Sequence, residues 1–397
     1  MQQVFEHIQY LVGDRAILEG MESVPVLPLF SDAVLDFLDA LSGRLIRNKR
    51  ARACPDVIAY AFWIRKASMG MECVPYKTAV QRMGRGVVFQ IAPSNIPVQF
   101  AISMTYALAS GNASIVRVSQ RDFEQVEIIC EAIRDVITNS YPEMAPYICI
   151  VRYEHNENIT KMLTDLCDVR MIWGGDRTIA MLRQVPVKPR CIDLGFSDRY
   201  SVAVINSDEY LEMDAVVLAN NFYNDTYFVD QNACSSPRLV LWTGQRIPEA
   251  KERFWDELHK LVLEKFEMEP ICSSEKLLKT AICAAKYPGV REIKEDNFLV
   301  RIELPVLCDD IMEYKGKCGY FFECDIETLQ EMVPILKKEC QTVTYIGGLE
   351  QKIRDVVQEF GVRGVDRIVP VGRGTHISFV WDGMDIPNVL SRQIGNS

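Results

Sequence analysis

An α/β fold built on a doubly wound parallel sheet is predicted from three observations. From Gly86 onward, short β-branched runs alternate with segments of helical period, a rhythm that implies right-handed βαβ crossovers. The first of these runs, 86–91, has the pattern of a buried strand. At 397 residues the chain exceeds the usual size of one core, so two domains are expected.

Composition narrows the class. A hydrophobic share of 48% and a charged share of 25% are those of a soluble globular protein. The formal net charge of −10 argues against nucleic acid or anionic membrane as a main partner. The 13 cysteines are scattered, odd in number and form no CxxC pair, which suggests neither a disulfide framework nor a zinc site. His7, His155, His259 and His376 share no metal-ligand spacing, so no metal is expected. Met1–Glu6 has no basic region and no apolar core follows it, so no secretory leader is expected and the cytoplasm is the expected compartment. The most apolar window, 91–109, is interrupted by Pro93, Ser94, Asn95, Pro97 and Gln99 and falls short of a membrane span.

Residues 1–80 read as a helical layer, with helical periodicity over 32–46 and 56–69. A buried strand follows at 86–91, closed by Ala92-Pro93-Ser94-Asn95. Pro97 suits the first turn of a helix running to about Ser110, with Gly111 as its C-terminal cap. Strands at 113–118, 147–151 and 169–173 alternate with helices at 121–139 and 159–166, and Gly174-Gly175-Asp176-Arg177 opens another helix. In such sheets ligands sit beyond the carboxyl ends of the strands, which draws attention to the loops 92–95 and 174–177. Beyond residue 200 the rhythm loosens. Helices are expected at 248–266, 326–338 and 350–360, strands at 298–302 and 342–346, and short strands and turns from 367 to 383.

Three pieces invite chemistry. Cys234, in Gln231-Asn232-Ala233-Cys234-Ser235-Ser236-Pro237, lies among turn-forming residues rather than in an apolar run. It is either an approachable nucleophilic thiol or an ordinary loop cysteine. Gly174-Gly175 joins a strand to a helix, where backbone N–H groups can cradle a phosphate or form a bare turn. Asn95, between two prolines, can close an Asx turn or donate to an oxyanion. No GxGxxG is present.

Five segments occur in the order of the aldehyde dehydrogenase superfamily: Gly86-Val87-Val88 running into Pro93-Ser94-Asn95-Ile96-Pro97, 110–119, Trp173-Gly174-Gly175-Asp176, Asp193-Leu194-Gly195-Phe196-Ser197 and Gln231-Asn232-Ala233-Cys234. Within that superfamily the chain resembles the LuxC-type acyl-CoA reductases, through Ala233-Cys234-Ser235-Ser236-Pro237, 363–372 and Phe379-Val380-Trp381-Asp382-Gly383. The resemblance covers most of the chain from about residue 50. It implies an aldehyde dehydrogenase-like fold, with a dinucleotide-binding domain at 1–200, a catalytic domain at 201–365, and a tail at 366–397 returning to the first domain or to a neighbouring subunit.

The resemblance also implies roles. Cys234 would attack the carbonyl of a long-chain fatty acyl thioester (acyl-CoA, or an acyl group on a carrier or other protein) and become acylated. Asn95 and the backbone N–H of Cys234 would hold the oxyanion. Ala92, Pro93, Ser94, Arg117, Ser119, Gly174, Gly175, Asp176 and Gly195 would line a nicotinamide coenzyme. Asp193 stands where water-using relatives carry a glutamate base. Being one methylene shorter, it is either a base of reduced reach or a turn cap. Arg117 and Ser119, with Gln120 where NAD-preferring members carry a glutamate, favour NADPH, although NADH would also serve. Glu303 and His376 are read as a surface carboxylate and a structural histidine. A homo-oligomer is expected, supplied with acyl groups by an acyl-protein synthetase. The rival readings are oxidation of free aldehyde to acid, and an acyl-accepting subunit active only with its synthetase.

Overall fold

A computed structural model describes residues 5–78, 80–294 and 296–395. The chain divides into two compact units, 1–197 with 377–397, and 198–376.

In the first unit, the strands are β1 Gln9–Val12, β2 Gln81–Gly84, β3 Val87–Ile91, β4 Ala113–Arg117, β5 Ile148–Arg152, β6 Val169–Trp173 and β7 Ile192–Phe196. Six of them form a sheet in the order β1-β5-β4-β3-β6-β7, parallel except for the edge strand β1. Every residue of β3 and β6 is buried, which is why their sequences do not alternate. The winding reverses at β3, with β4 and β5 on one side and β6 and β7 on the other. The carboxyl ends of β3 and β6 therefore flank a topological switch point, where open α/β sheets bind ligands.

The helix Gln99–Ala109 is buried on all sides. The helix Pro55–Trp63 packs near it, where Tyr60 Oη meets Thr105 Oγ1 at 3.0 Å, and Phe379 from the C-terminal segment lies against Tyr106. Gly111 ends that helix at φ +83°, and a Cβ there would collide with the carbonyl of Leu27. The strand Ser391–Ile394 pairs with β2, so the last segment of the chain completes this unit.

In the second unit, β8 Tyr200–Asn206, β9 Pro237–Thr243, β10 Arg291–Lys294, β11 Val300–Glu303, β12 Tyr320–Asp325, β13 Cys340–Ile346 and β14 Arg367–Pro370 form a sheet in the order β10-β11-β12-β9-β8-β13-β14. All neighbours run parallel except the β10–β11 pair. Alternate residues of central β9 feed two cores. Leu239 and Leu241 face Met332, Ile335 and Ile353, whereas Val240 and Trp242 face Phe222, Phe254 and Trp255 from the helices Ala215–Asp225 and Ile247–Lys265.

Sequence and structure part in several places, among them the strands β8 and β12 and the helix Ala215–Asp225, which were not expected. The helix expected over 326–338 is a 3₁₀ stretch, Leu329–Ile335, because Pro334 removes a donor the α form needs. A 17-residue helix, Pro270–Lys286, stands where none was expected. Residues 366–376, assigned from sequence to the tail, belong to the second unit. There β14 pairs with β13, and the Asp225 carboxylate accepts N–H bonds from Gly372 (2.6 Å), Gly374 (2.8 Å) and Thr375 (3.3 Å).

Candidate active site

The parallel register of the first sheet collects several of the expected residues at one edge. Ile91 lies opposite Arg117, and Trp173 opposite Phe196, at the carboxyl ends of their strands. The N–H of Ala92 donates to the carbonyl of Arg117 at 3.0 Å, so the loop 92–95 begins beside that arginine. Ser94 and Asn95 are exposed, and the Asn95 side-chain amide has no hydrogen-bond partner among the described residues. Arg117 lies over the ring of Tyr153, 4.9 Å from its centroid, and donates to the Tyr153 carbonyl at 3.3 Å. Its Nε is buried without a partner. Ser119 Oγ accepts the N–H of Arg121 at 3.1 Å.

Across the switch point, Trp173 stacks on Phe196 with ring centroids 3.8 Å apart and donates to Ser103 at 3.0 Å, fixing the ends of β6 and β7. Gly175 caps the helix Asp176–Leu182 with no side-chain bond. A Cβ on Gly175 would meet nothing within 4 Å, so neither packing nor backbone conformation requires glycine there. An open N-terminus and an unpartnered guanidinium N–H at the same edge suit the phosphates of a dinucleotide. Asp176 is exposed in the first turn, where its charge complements the helix dipole. Gly195 lies on β7, one residue short of the edge, close to Arg183 and Ile179.

Asp193 is not at that edge. It is the second residue of β7, paired in register with Arg170 and about 10 Å upstream of the strand's end at ~3.3 Å per residue. Buried Arg170 grips its carboxylate at 2.6 and 3.1 Å and also donates to the carbonyls of Leu182 and Val185 at 3.1 and 2.8 Å. A carboxylate held in this fork is committed to the guanidinium. Through Arg170 it anchors the far end of the helix that starts at Gly175.

In the second unit, Cys234 lies in a loop before β9, at the amino edge of that sheet. Two consecutive non-glycine residues there, Asp230 and Gln231, take left-handed conformations at φ +52° and +54°, each at a steric cost. The cost is offset by the hydrogen bonds of Gln231, whose side chain is fully buried. Its Oε1 accepts from Gly319 at 2.7 Å and Tyr320 at 3.1 Å, and its Nε2 donates to Pro237 at 3.2 Å and Tyr320 at 3.4 Å. The carbonyl of Cys234 accepts from Ser201 Oγ at 2.8 Å, and Ser201 in turn accepts the N–H of Thr342 at 3.1 Å. The neighbouring strands shift register opposite Ser201, with Arg238 the extra residue on β9 and Gln341 on β13.

Cys234 itself is half-buried, and the Ser235 and Ser236 hydroxyls beside it are buried without partners. Arg238, 8% exposed, donates to the carbonyls of Gln231 and Gly316. Burial holds its guanidinium down at about 10. Among the described residues no group of histidines, cysteines or carboxylates could hold a metal ion, and no helix is long and apolar enough to cross a membrane.

With this geometry in view, comparison with known proteins is direct. The family model for acyl-CoA reductase (LuxC) matches residues 69–266, a stretch holding Asn95, Arg117, Gly174, Asp193 and Cys234. Over that stretch the chain is similar to the LuxC family. It is 26% identical over 313 residues to the long-chain acyl-protein thioester reductase of Aliivibrio fischeri, covering 75% of this chain and 62% of that protein. It is 25% identical over 305 residues to the protein of the same description from Vibrio harveyi, covering 74% and 60%. The chain thus spans about three fifths of the length of the curated relatives it matches.

Among solved structures it resembles an oxidoreductase from Marinobacter aquaeolei (TM-score 0.68, 12% identity, 95% of this chain and 88% of that one). It also resembles lactaldehyde dehydrogenase from Escherichia coli (TM-score 0.64, 12% identity, the same coverage). These likenesses establish the aldehyde dehydrogenase-like fold.

Four residues of the LuxC-like segment escaped the sequence reading: Arg170, Tyr153, Gln231 as a clamp, and Arg238. Two carried a legible signal. Arg170 interrupts the apolar run Val169–Trp173, and Arg238 opens the run Leu239–Trp242, yet charged residues are seldom buried unless they have work there.

Proposed function

We propose that this chain reduces a long-chain fatty acyl thioester to the aldehyde through a covalent acyl-Cys234 intermediate, with NADPH as reductant. The observation that carries the reading is the clamped loop that presents Cys234 inside the segment matched by the LuxC family. Cys234 Sγ adds to the acyl carbonyl, the carbon–sulfur bond to the donor breaks, and the departing thiol takes the proton. The carboxamide of Asn95 and the N–H of Cys234 act as the oxyanion donors. A nicotinamide coenzyme bound there would supply hydride to the acyl carbon; the carbon–sulfur bond to Cys234 then breaks, releasing the aldehyde, and the sulfur takes a proton to restore the thiol.

Ala92, Pro93, Ser94, Gly174, Gly175 and Gly195 would hold the coenzyme. Arg117 and Ser119 would take a 2′-phosphate, and Asp176 is left to the helix dipole. Asp193 acts as a positioning residue through Arg170. This commitment weakens the aldehyde-oxidation reading, which needs a carboxylate available to water. The relatives' description as acyl-protein thioester reductases favours an acyl-protein donor over acyl-CoA and a synthetase as supplier.

Incubation with acyl-CoAs and acyl-carrier thioesters in the absence of coenzyme, followed by intact mass measurement, tests the reading. An acyl adduct on the wild type that is lost in Cys234→Ala is expected. Coenzyme-dependent conversion of aldehyde to acid without any adduct would replace it with the oxidative reading. An adduct without later turnover would show that a partner is needed.

A further inference from the structure

Cys272 and Cys318 are 46 residues apart in the chain, yet their sulfurs meet at 2.9 Å. Both are free thiols buried in the same apolar core. Cys272 lies in the first turn of the helix Pro270–Lys286. Cys318 precedes β12 and takes a left-handed conformation at φ +56°, which a residue with a Cβ adopts at a cost. The same two segments touch again on either side of the sulfurs. Lys317 pairs with Glu275 at 3.4 Å, and Tyr320 Oη donates to Cys283 Sγ at 3.8 Å. Ile271 is exposed and Lys317 half-buried, so the pair lies close beneath the surface. The segment that carries Cys318 also holds the Cys234 loop. The N–H of Cys318 donates to the Asp230 carbonyl at 3.1 Å, and those of Gly319 and Tyr320 donate to Gln231 Oε1 at 2.7 and 3.1 Å. The Gly316 carbonyl accepts from Arg238.

We propose that Cys272 and Cys318 are a reversible disulfide site, closed by hydrogen peroxide, that fastens the clamp of the Cys234 loop to the helix Pro270–Lys286. One sulfur attacks the peroxide, the O–O bond breaks, one water leaves and a sulfenic acid remains. The second sulfur displaces its hydroxyl as another water, and the S–S bond forms. The two thiols lose two electrons to the peroxide, and their protons end in the two waters. A sulfur–sulfur bond is about 2.05 Å long, so closure asks for roughly 0.9 Å of movement. The other close pair, Cys167 and Cys191 at 3.8 Å in the first unit, would need about twice that. In reducing surroundings such a pair stays open until oxidant rises. The inference goes beyond the acyl chemistry of Cys234 and does not rest on it.

The site is tested by treating the whole apoprotein with hydrogen peroxide, alkylating the remaining thiols, and digesting with trypsin without reductant before mass measurement. A disulfide joining peptides 266–276 and 318–337, and lost on adding dithiothreitol, is expected in the wild type. Peptide 318–337 also holds Cys324, so fragmentation of the linked pair assigns the sulfur. The link should persist in Cys324→Ser and vanish in Cys272→Ser, but the wild-type result decides even where a variant fails to fold. Oxidation at Cys234, or at Cys167 and Cys191, that leaves Cys272 and Cys318 alkylated would overturn the proposal, as would a link that forms only in denaturant. The fastening is read by hydrogen exchange over 315–320, which should be about tenfold slower in the oxidised protein. Equal exchange in the two forms would overturn the fastening role.

Discussion

Arg117 illustrates how one residue tests coenzyme choice. Its buried Nε lacks a partner while its ring neighbour Tyr153 holds the guanidinium plane. If that N–H meets a 2′-phosphate, Arg117→Ala should raise the KM for NADPH at least tenfold and leave the KM for NADH within about twofold, consistent with a charge-assisted bond of ~1.5–3 kcal/mol. Equal losses would remove the NADPH preference. At this scale Cys234 was legible because its neighbours are turn formers, a local property of the sequence. Its supports were not legible. Gln231 is satisfied by Gly319 and Tyr320, and Arg238 by Gly316, all about 80 residues away along the chain. No periodicity reports such backbone partners.

At the scale of elements, the Arg170–Asp193 fork couples β6, β7 and the helix Asp176–Leu182. Arg170→Met would leave the Asp193 carboxylate with only the longer 3.6 Å contact to Arg183 and free the carbonyls of Leu182 and Val185. It should destabilise the protein by about 3–5 kcal/mol in urea unfolding and raise the KM for the coenzyme more than it lowers kcat. A variant of wild-type stability would show that the fork carries no load.

Asp225 gives a pH signature. Burial pushes its carboxyl up to about 6 despite three N–H donors. Between the ordinary value of 3.8 and about 6 the folded protein binds more protons than the unfolded chain, so this group's contribution is present below that window and lost as pH rises through it. Relative to Asp225→Asn, the wild type should lose about 2 kcal/mol between pH 4 and 6.5. A pH-independent difference would contradict this.

The strands β3, β4, β5 and β6 were readable because near-complete burial makes them largely apolar. The helix Pro270–Lys286 was not, because its pattern is inverted. Ile271, Leu277, Leu278 and Ile282 are exposed, whereas Lys276 is buried and bonded to the Asn297 carbonyl at 2.6 Å.

For the whole molecule, five short segments spread over some 150 residues carry a resemblance to the aldehyde dehydrogenase superfamily that no single one would have carried, and the fold is aldehyde dehydrogenase-like. Their order survives because each segment ends a strand or opens a loop whose position the sheet dictates. What order could not reveal is which carboxylate is available and which is committed. Asp193 occupies the motif position of a base, yet its side chain is bound by an arginine that the motif does not contain.

The claim that Cys234 carries acyl groups on their way to aldehyde is tested most directly by following NADPH absorbance with acyl-CoAs of rising chain length, aldehyde being trapped, for wild type and Cys234→Ala. The expected result is chain-length-dependent NADPH consumption, matched mole for mole by aldehyde and abolished in the variant. NADPH consumption that persists in Cys234→Ala would contradict the account.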